Sequence, residues 1–102
     1  MDQMNLPVAC SLTESELQER RRSLLQLAKG SVVEIKEMED GYSYRFPSDG
    51  DSIIELAKLV LLERQCCPFL QFTINVDAGN GPIWLEMKGP EGTKEFLASL
   101  FD

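Results

Sequence analysis

The chain has 102 residues, a formal net charge of −7, no histidine and three cysteines. A chain of this length is one domain with one modest core, and its 43% hydrophobic and 26% charged residues are a globular balance. Ten Lys+Arg against 17 Asp+Glu disfavour a nucleic-acid partner, since that contact rests on neutralising phosphates, and the missing histidine excludes Ser-His-Asp and Cys-His catalysis and any His-ligated metal.

No apolar run approaches the roughly 20 residues of a membrane span. Met1-Asp2-Gln3-Met4 has neither the basic start nor the apolar stretch of a signal peptide. The expected location is therefore the cytoplasm, where the thiols are expected to be reduced. An odd number of cysteines, two of them adjacent, is not a disulfide framework.

Residues 1–12 read as an extended segment leading through Pro7, Val8 and Cys10 to Leu12. Thr13-Glu14-Ser15-Glu16 reads as a capping box, with Thr13 as N-cap and Glu16 reaching back. The helix it opens is expected to run to about Lys29 and stop at Gly30. Its apolar stripe is Leu17, Leu24, Leu25, Leu27 and Ala28. Arg20 and Arg21 share the side of Leu17 and Leu24. They are placed to reach an acidic partner such as Glu63, to bind an anion, or to cover the core edge with their stems.

Ser31–Met38 is rich in β-branched residues and reads as a strand, and Asp40-Gly41 as a hairpin turn. Tyr42, Tyr44 and Phe46 alternate with Ser43 and Arg45 in a half-buried second strand. Asp51 or Ser52 can cap a second helix from about Ile53 to Cys66. Pro68 disfavours helical geometry at Cys67, which is expected just past the helix. Leu70, Phe72, Ile74 and Val76 alternate in a third strand, and Ile83, Leu85 and Met87 in a fourth, around a turn at Asp77–Gly81. Gly89-Pro90-Glu91 opens a last helix, with Pro90 suited to its first position; Phe96, Leu97, Leu100 and Phe101 form its apolar side.

The order predicts an α+β fold: an αββ unit used twice and closed by a third helix. The sheet is expected to be four-stranded and mainly antiparallel, with helices on one face. A shift of about 41 residues overlays Tyr42, Tyr44 and Phe46 on Ile83, Leu85 and Met87, a pattern-level repeat. In the second helix, Ile53, Ile54, Leu56, Ala57, Leu59, Val60 and Leu61 cover well over half the circumference, with Leu62 on the more polar side. Such a helix is expected to be central or to touch another subunit. Glu63 and Arg64 fall in the apolar arc and are candidates for partly buried charges; the alternative is that the helix end emerges into water. Trp84 lies opposite Ile83 and Leu85, as a candidate binding surface or as an ordinary half-exposed aromatic.

Cys66-Cys67 is the chemical centre of the sequence. Adjacent cysteines rarely bridge, because the small ring strains disulfide geometry. They can present two thiols to a soft ion, with Cys10 as a third if the N-terminal segment folds over the helix end. Three thiolates suit Hg(II) or As(III); structural zinc prefers four ligands. Redox use fits less well, since no Cys-x-x-Cys is present and a helix C-terminus disfavours the thiolate. The plain alternative is two small hydrophobes packed at a helix–strand corner.

Glu63-Arg64-Gln65-Cys66-Cys67-Pro68-Phe69, with Cys10-Ser11-Leu12 upstream and Gly89-Pro90-Glu91-Gly92 downstream, resembles a small bacterial family of uncharacterised proteins with a Glu-Arg-x-Cys-Cys-Pro-Phe motif. The resemblance spans about Val8 to Phe101. Similar segments are appended to regulators that look like the mercury-responsive transcription regulators, which implies a soft-metal role by association. This chain has no helix-turn-helix unit, so DNA binding is not carried over.

The leading expectation is thus a domain that binds a soft metal or metalloid through Cys66, Cys67 and Cys10, with Glu63 and Arg64 in support. The alternatives are a protein-interaction or homodimerisation module whose cysteines only pack, with Trp84 or Arg21 on its surface, and a small thiol-dependent enzyme.

Overall fold

The computed structural model describes residue 8, residues 13–48 and residues 51–101. Its elements are α1 (Ser15–Ser31), β1 (Glu34–Glu37), β2 (Gly41–Phe46), α2 (Ser52–Cys66), β3 (Gln71–Val76), β4 (Ile83–Lys88) and α3 (Thr93–Phe101). The fold is α+β, as expected. All strand pairs are antiparallel, in the order β1-β2-β4-β3. The two hairpins therefore meet through their second strands. No helix among the described residues is long and apolar enough to cross a membrane.

The β2–β4 register sets Tyr42 opposite Met87, Tyr44 opposite Leu85 and Phe46 opposite Ile83. Under the 41-residue overlay, Tyr44 and Leu85 are each other's counterparts. They also face each other in this register, so the local two-fold axis relating the two strands passes at this pair. The β1–β2 turn closes from Met38 N–H to the Gly41 carbonyl. The longer β3–β4 turn uses left-handed backbone at Gly79 and Asn80, residues that adopt it at low cost.

One sheet face and the three helices enclose the core. Tyr44, Phe46, Ile83, Leu85 and Met87 point into it from β2 and β4, against Ala28, Leu56, Leu59 and Leu97 from the helices. Tyr44 stacks on Phe101 at 4.4 Å between ring centroids, which ties α3 to β2. Burial pushes the Tyr44 phenol well above its ordinary range, with Tyr42 adding to the rise.

Several local expectations are corrected. The first helix begins at Ser15 with Glu14 as N-cap and no side-chain capping bond, so Thr13 does not form a capping box. The helix also runs through Gly30 to Ser31, ending where Val32 N–H meets the Ala28 carbonyl. Leu27 is 65% exposed rather than part of the stripe. The first strand is shorter than 31–38. Pro90 is not the first residue of α3, which starts three residues later at Thr93.

The central pairing leaves no space at Gly41. A Cβ there would lie 1.9 Å from the Met87 carbonyl oxygen and 2.7 Å from Lys88 Cα. Both obstacles are backbone, so β2 and β4 would have to part. Gly41→Ala is expected to cost about 1–3 kcal/mol. Urea unfolding checks this, and an unchanged midpoint would show that the strands separate freely.

Candidate functional site

The site lies where α2 ends. Cys67 N–H bonds the Glu63 carbonyl, and the Cys67 carbonyl accepts from Leu70 N–H. Cys67-Pro68-Phe69-Leu70 is thus a tight turn with proline in its second position, which suits the fixed proline φ. As the sequence predicts, Cys67 leaves helical geometry, with φ −123° and ψ 72°. Cys66 and Cys67 are both fully buried.

Glu63 is one helical turn before Cys67 and is also fully buried. Its charge is met from α1. Arg21 Nε donates to Glu63 Oε2 at 2.5 Å, and Nη2 donates to Oε1 at 3.4 Å. The Cys67 thiol donates to Glu63 Oε1 across 3.6 Å, and Arg21 Nη2 lies 4.0 Å from Cys67 Sγ. Arg21 reaches the site because it shares the inward side of α1 with Leu17, Leu24, Leu25 and Ala28 at i+3/i+4 intervals. One guanidinium, one carboxylate and one thiol therefore form a cluster that ties α1 to the corner between α2 and β3.

Burial pushes the Glu63 carboxyl above its usual range; Arg21 and the Cys67 thiol pull it back without cancelling the rise. The Cys67 thiol is pushed up to about 12, first by burial and then by the Glu63 charge, with Arg21 acting against both. About one molecule in 10⁵ is then a thiolate at neutral pH. Alkylation of Cys67 in the folded chain is expected to be slow and to accelerate up to about pH 12. The unfolded chain should accelerate near pH 8.5. Fast modification of folded protein at pH 8 would contradict the buried, hydrogen-bonded thiol.

The expected site residues separate as follows. Glu63 and Arg21 meet at Cys67, one of the outcomes foreseen for Arg21, while Arg20 is exposed. Arg64 is exposed and does not enter the cluster. Leu62 is buried, although the pattern puts it on the polar side. Cys67 is a free thiol and Cys66 is disulfide-bonded. The adjacent cysteines thus do not bridge each other, as ring strain requires, but the expectation of reduced thiols fails at Cys66. Cys10 lies outside the described residues. Val8, two residues before it, is half-buried against the core, 3.8 Å from where a Cβ on Gly92 would stand.

Trp84 lies on the sheet face away from the helices, half-buried, with Arg45 and Asn75 beside it in the register. Lys36 Nζ stands 4.7 Å from its ring centre. That cation–π contact occupies one side of the ring. The sequence reading missed this neighbour because it depends on the β1–β2 pairing. It also missed the burial of Thr93, whose hydroxyl has no hydrogen-bond partner among the described residues. The chain matches no family model, no curated protein and no solved structure.

Proposed function

We propose that the chain is a thiol-based binding domain for a soft metal or metalloid ion, held by Cys67, Cys66 and Cys10. The observation that carries this reading is the contact of the Cys67 thiol with both the Glu63 carboxylate and the Arg21 guanidinium. A thiol must lose its proton to ligate. Glu63 is the acceptor at hand, and Arg21 supplies charge balance as the thiolate forms. The high proton affinity of Cys67 does not oppose this, because a bound cation is the largest local charge and deprotonates a ligating thiol outright. Sulfur softness selects Hg(II), As(III) or Cd(II) over harder ions. The reading concerns the reduced chain, since a bridged Cys66 is not a thiolate donor.

The second reading is that the cysteines only pack the core, and the complete burial of Cys66 and Cys67 favours it. One experiment separates the two. Reduced, folded protein is titrated with Hg(II), As(III), Cd(II) and Zn(II), while free thiols are counted and native mass spectra recorded. Binding of one soft ion per chain with protection of Cys66 and Cys67 is expected. Cys10→Ser should weaken it, and Glu63→Gln should cost roughly 10–100-fold in affinity, as partners of ligands do. Arg64→Gln should change little. Equal labelling with and without ions would leave packing as the role of these residues.

A further inference from the structure

The outer face of α2 supports an inference independent of the thiols. The helix turns Leu56, Leu59, Leu62, Glu63 and Cys66 to the core. Its opposite side is also apolar. Ile53 is 44% exposed, Ile54 54% and Leu61 59%, with exposed Ala57 between them. A helix that is apolar on both sides needs two partners, and the described residues supply one.

We propose that this stripe is the contact of a two-fold homodimer in which α2 packs antiparallel on α2 of a second copy. A two-fold interface must be self-complementary, each residue meeting the counterpart that it presents. The stripe meets that condition about Ala57. Ile53 then faces the second copy's Leu61, Ile54 lies over the edge of its half-buried Val60, and the small Ala57 side chains meet on the axis. The charges agree. Asp51 stands at the start of the helix and Arg64 near its end; both are exposed, and neither side chain forms an ion pair among the described residues. Antiparallel packing brings each Arg64 beside the other copy's Asp51, at the positive end of the opposing helix where that carboxylate is favoured. Opposite charges at the two ends select the antiparallel arrangement, since a parallel one sets like against like.

A helix of 15 residues is about 22 Å long. Two such helices bury less than the roughly 800 Å² per partner of a standard interface. The dimer is therefore expected to dissociate on dilution.

Analytical ultracentrifugation of the full chain across a concentration series tests the proposal. Wild type should move from monomer to dimer, and Ile54→Glu should stay monomeric with an unchanged circular dichroism spectrum. Asp51→Arg alone and Arg64→Asp alone should each weaken self-association by about 10-fold or more, because each sets like charges together. Mixing these two variants should restore a dimer, now of one chain of each kind, since both contacts become complementary. The chain carrying both changes should self-associate like wild type, which guards against a fold defect in either single variant. A wild type that remains monomeric throughout, or charge variants that fail to rescue each other, would overturn the proposal.

Discussion

Arg21→Ala is expected to lower the unfolding free energy by about 3–5 kcal/mol at neutral pH, the usual cost of stranding one member of a buried ion pair. The Arg21 side chain is 15% exposed and that of Glu63 1%. The arginine can regain water in an altered pocket, whereas the glutamate cannot. Removing Arg21 therefore hurts more than removing Glu63. Glu63→Gln keeps the shape, removes the buried charge and should cost much less. The double variant should recover much of the Arg21→Ala loss, because no uncompensated carboxylate remains.

The pH dependence follows from the direction of the Glu63 shift, which burial drives upward. A carboxyl whose folded value exceeds its unfolded value of about 4.3 binds its proton more tightly in the folded state. Its contribution is fully present below that unfolded value and is lost as pH rises through the folded one. Removing Arg21 takes away the main force opposing the rise. The variant should thus lie closest to wild type near pH 4 and diverge from it as pH increases. Urea unfolding at pH 4.5 and pH 8 checks both the size and the slope. A loss below about 1 kcal/mol, equal at the two pH values, would mean that Glu63 is solvated after all.

This cluster also shows where sequence reading reaches its limit. Alternation in Tyr42–Phe46 and Ile83–Met87 made two of the strands legible, and Asp40-Gly41 the first turn, because strand period and turn chemistry are local properties. Pro68 likewise fixed the end of the second helix at Cys67. The facing of that helix was not legible. Apolar residues on both sides of it leave the pattern without a preferred direction. In the fold it turns Leu56 and Leu59 inward, and with them Leu62, Glu63 and Cys66 of its C-terminal part. Arg21 was legible as a candidate because it keeps the spacing of the apolar stripe. That it and not Arg20 meets Glu63 depends on how α1 lies across α2, which only tertiary packing decides. The same packing decides between the two outcomes open to Arg64, and the one found is emergence into water. Thr13 failed as a cap because the helix starts two residues later, and the chain's path into a helix is not a property of the capping residues alone.

The second large effect is expected at the centre of the sheet. Leu85 is fully buried and lies between Tyr44 on β2 and Ile74 on β3. Leu85→Ala should cost about 2–5 kcal/mol, combining lost transfer energy with the cavity left behind. The upper half of that range is expected here, because the site has little means of collapse. Both flanking strands are held by ladder hydrogen bonds. The Tyr44 ring cannot swing into the space without giving up its stack on Phe101. Ile35, which also pairs with Tyr44 but from the edge strand, is 50% exposed and serves as the control. Ile35→Ala should cost under about 1 kcal/mol. Urea unfolding of the two variants with an unchanged m-value gives the comparison. Equal losses would mean that the two hairpins are stabilised independently and that their joint face is not the core. A loss concentrated at Leu85 would show that the β2–β4 seam makes one cooperative unit of the two αββ halves.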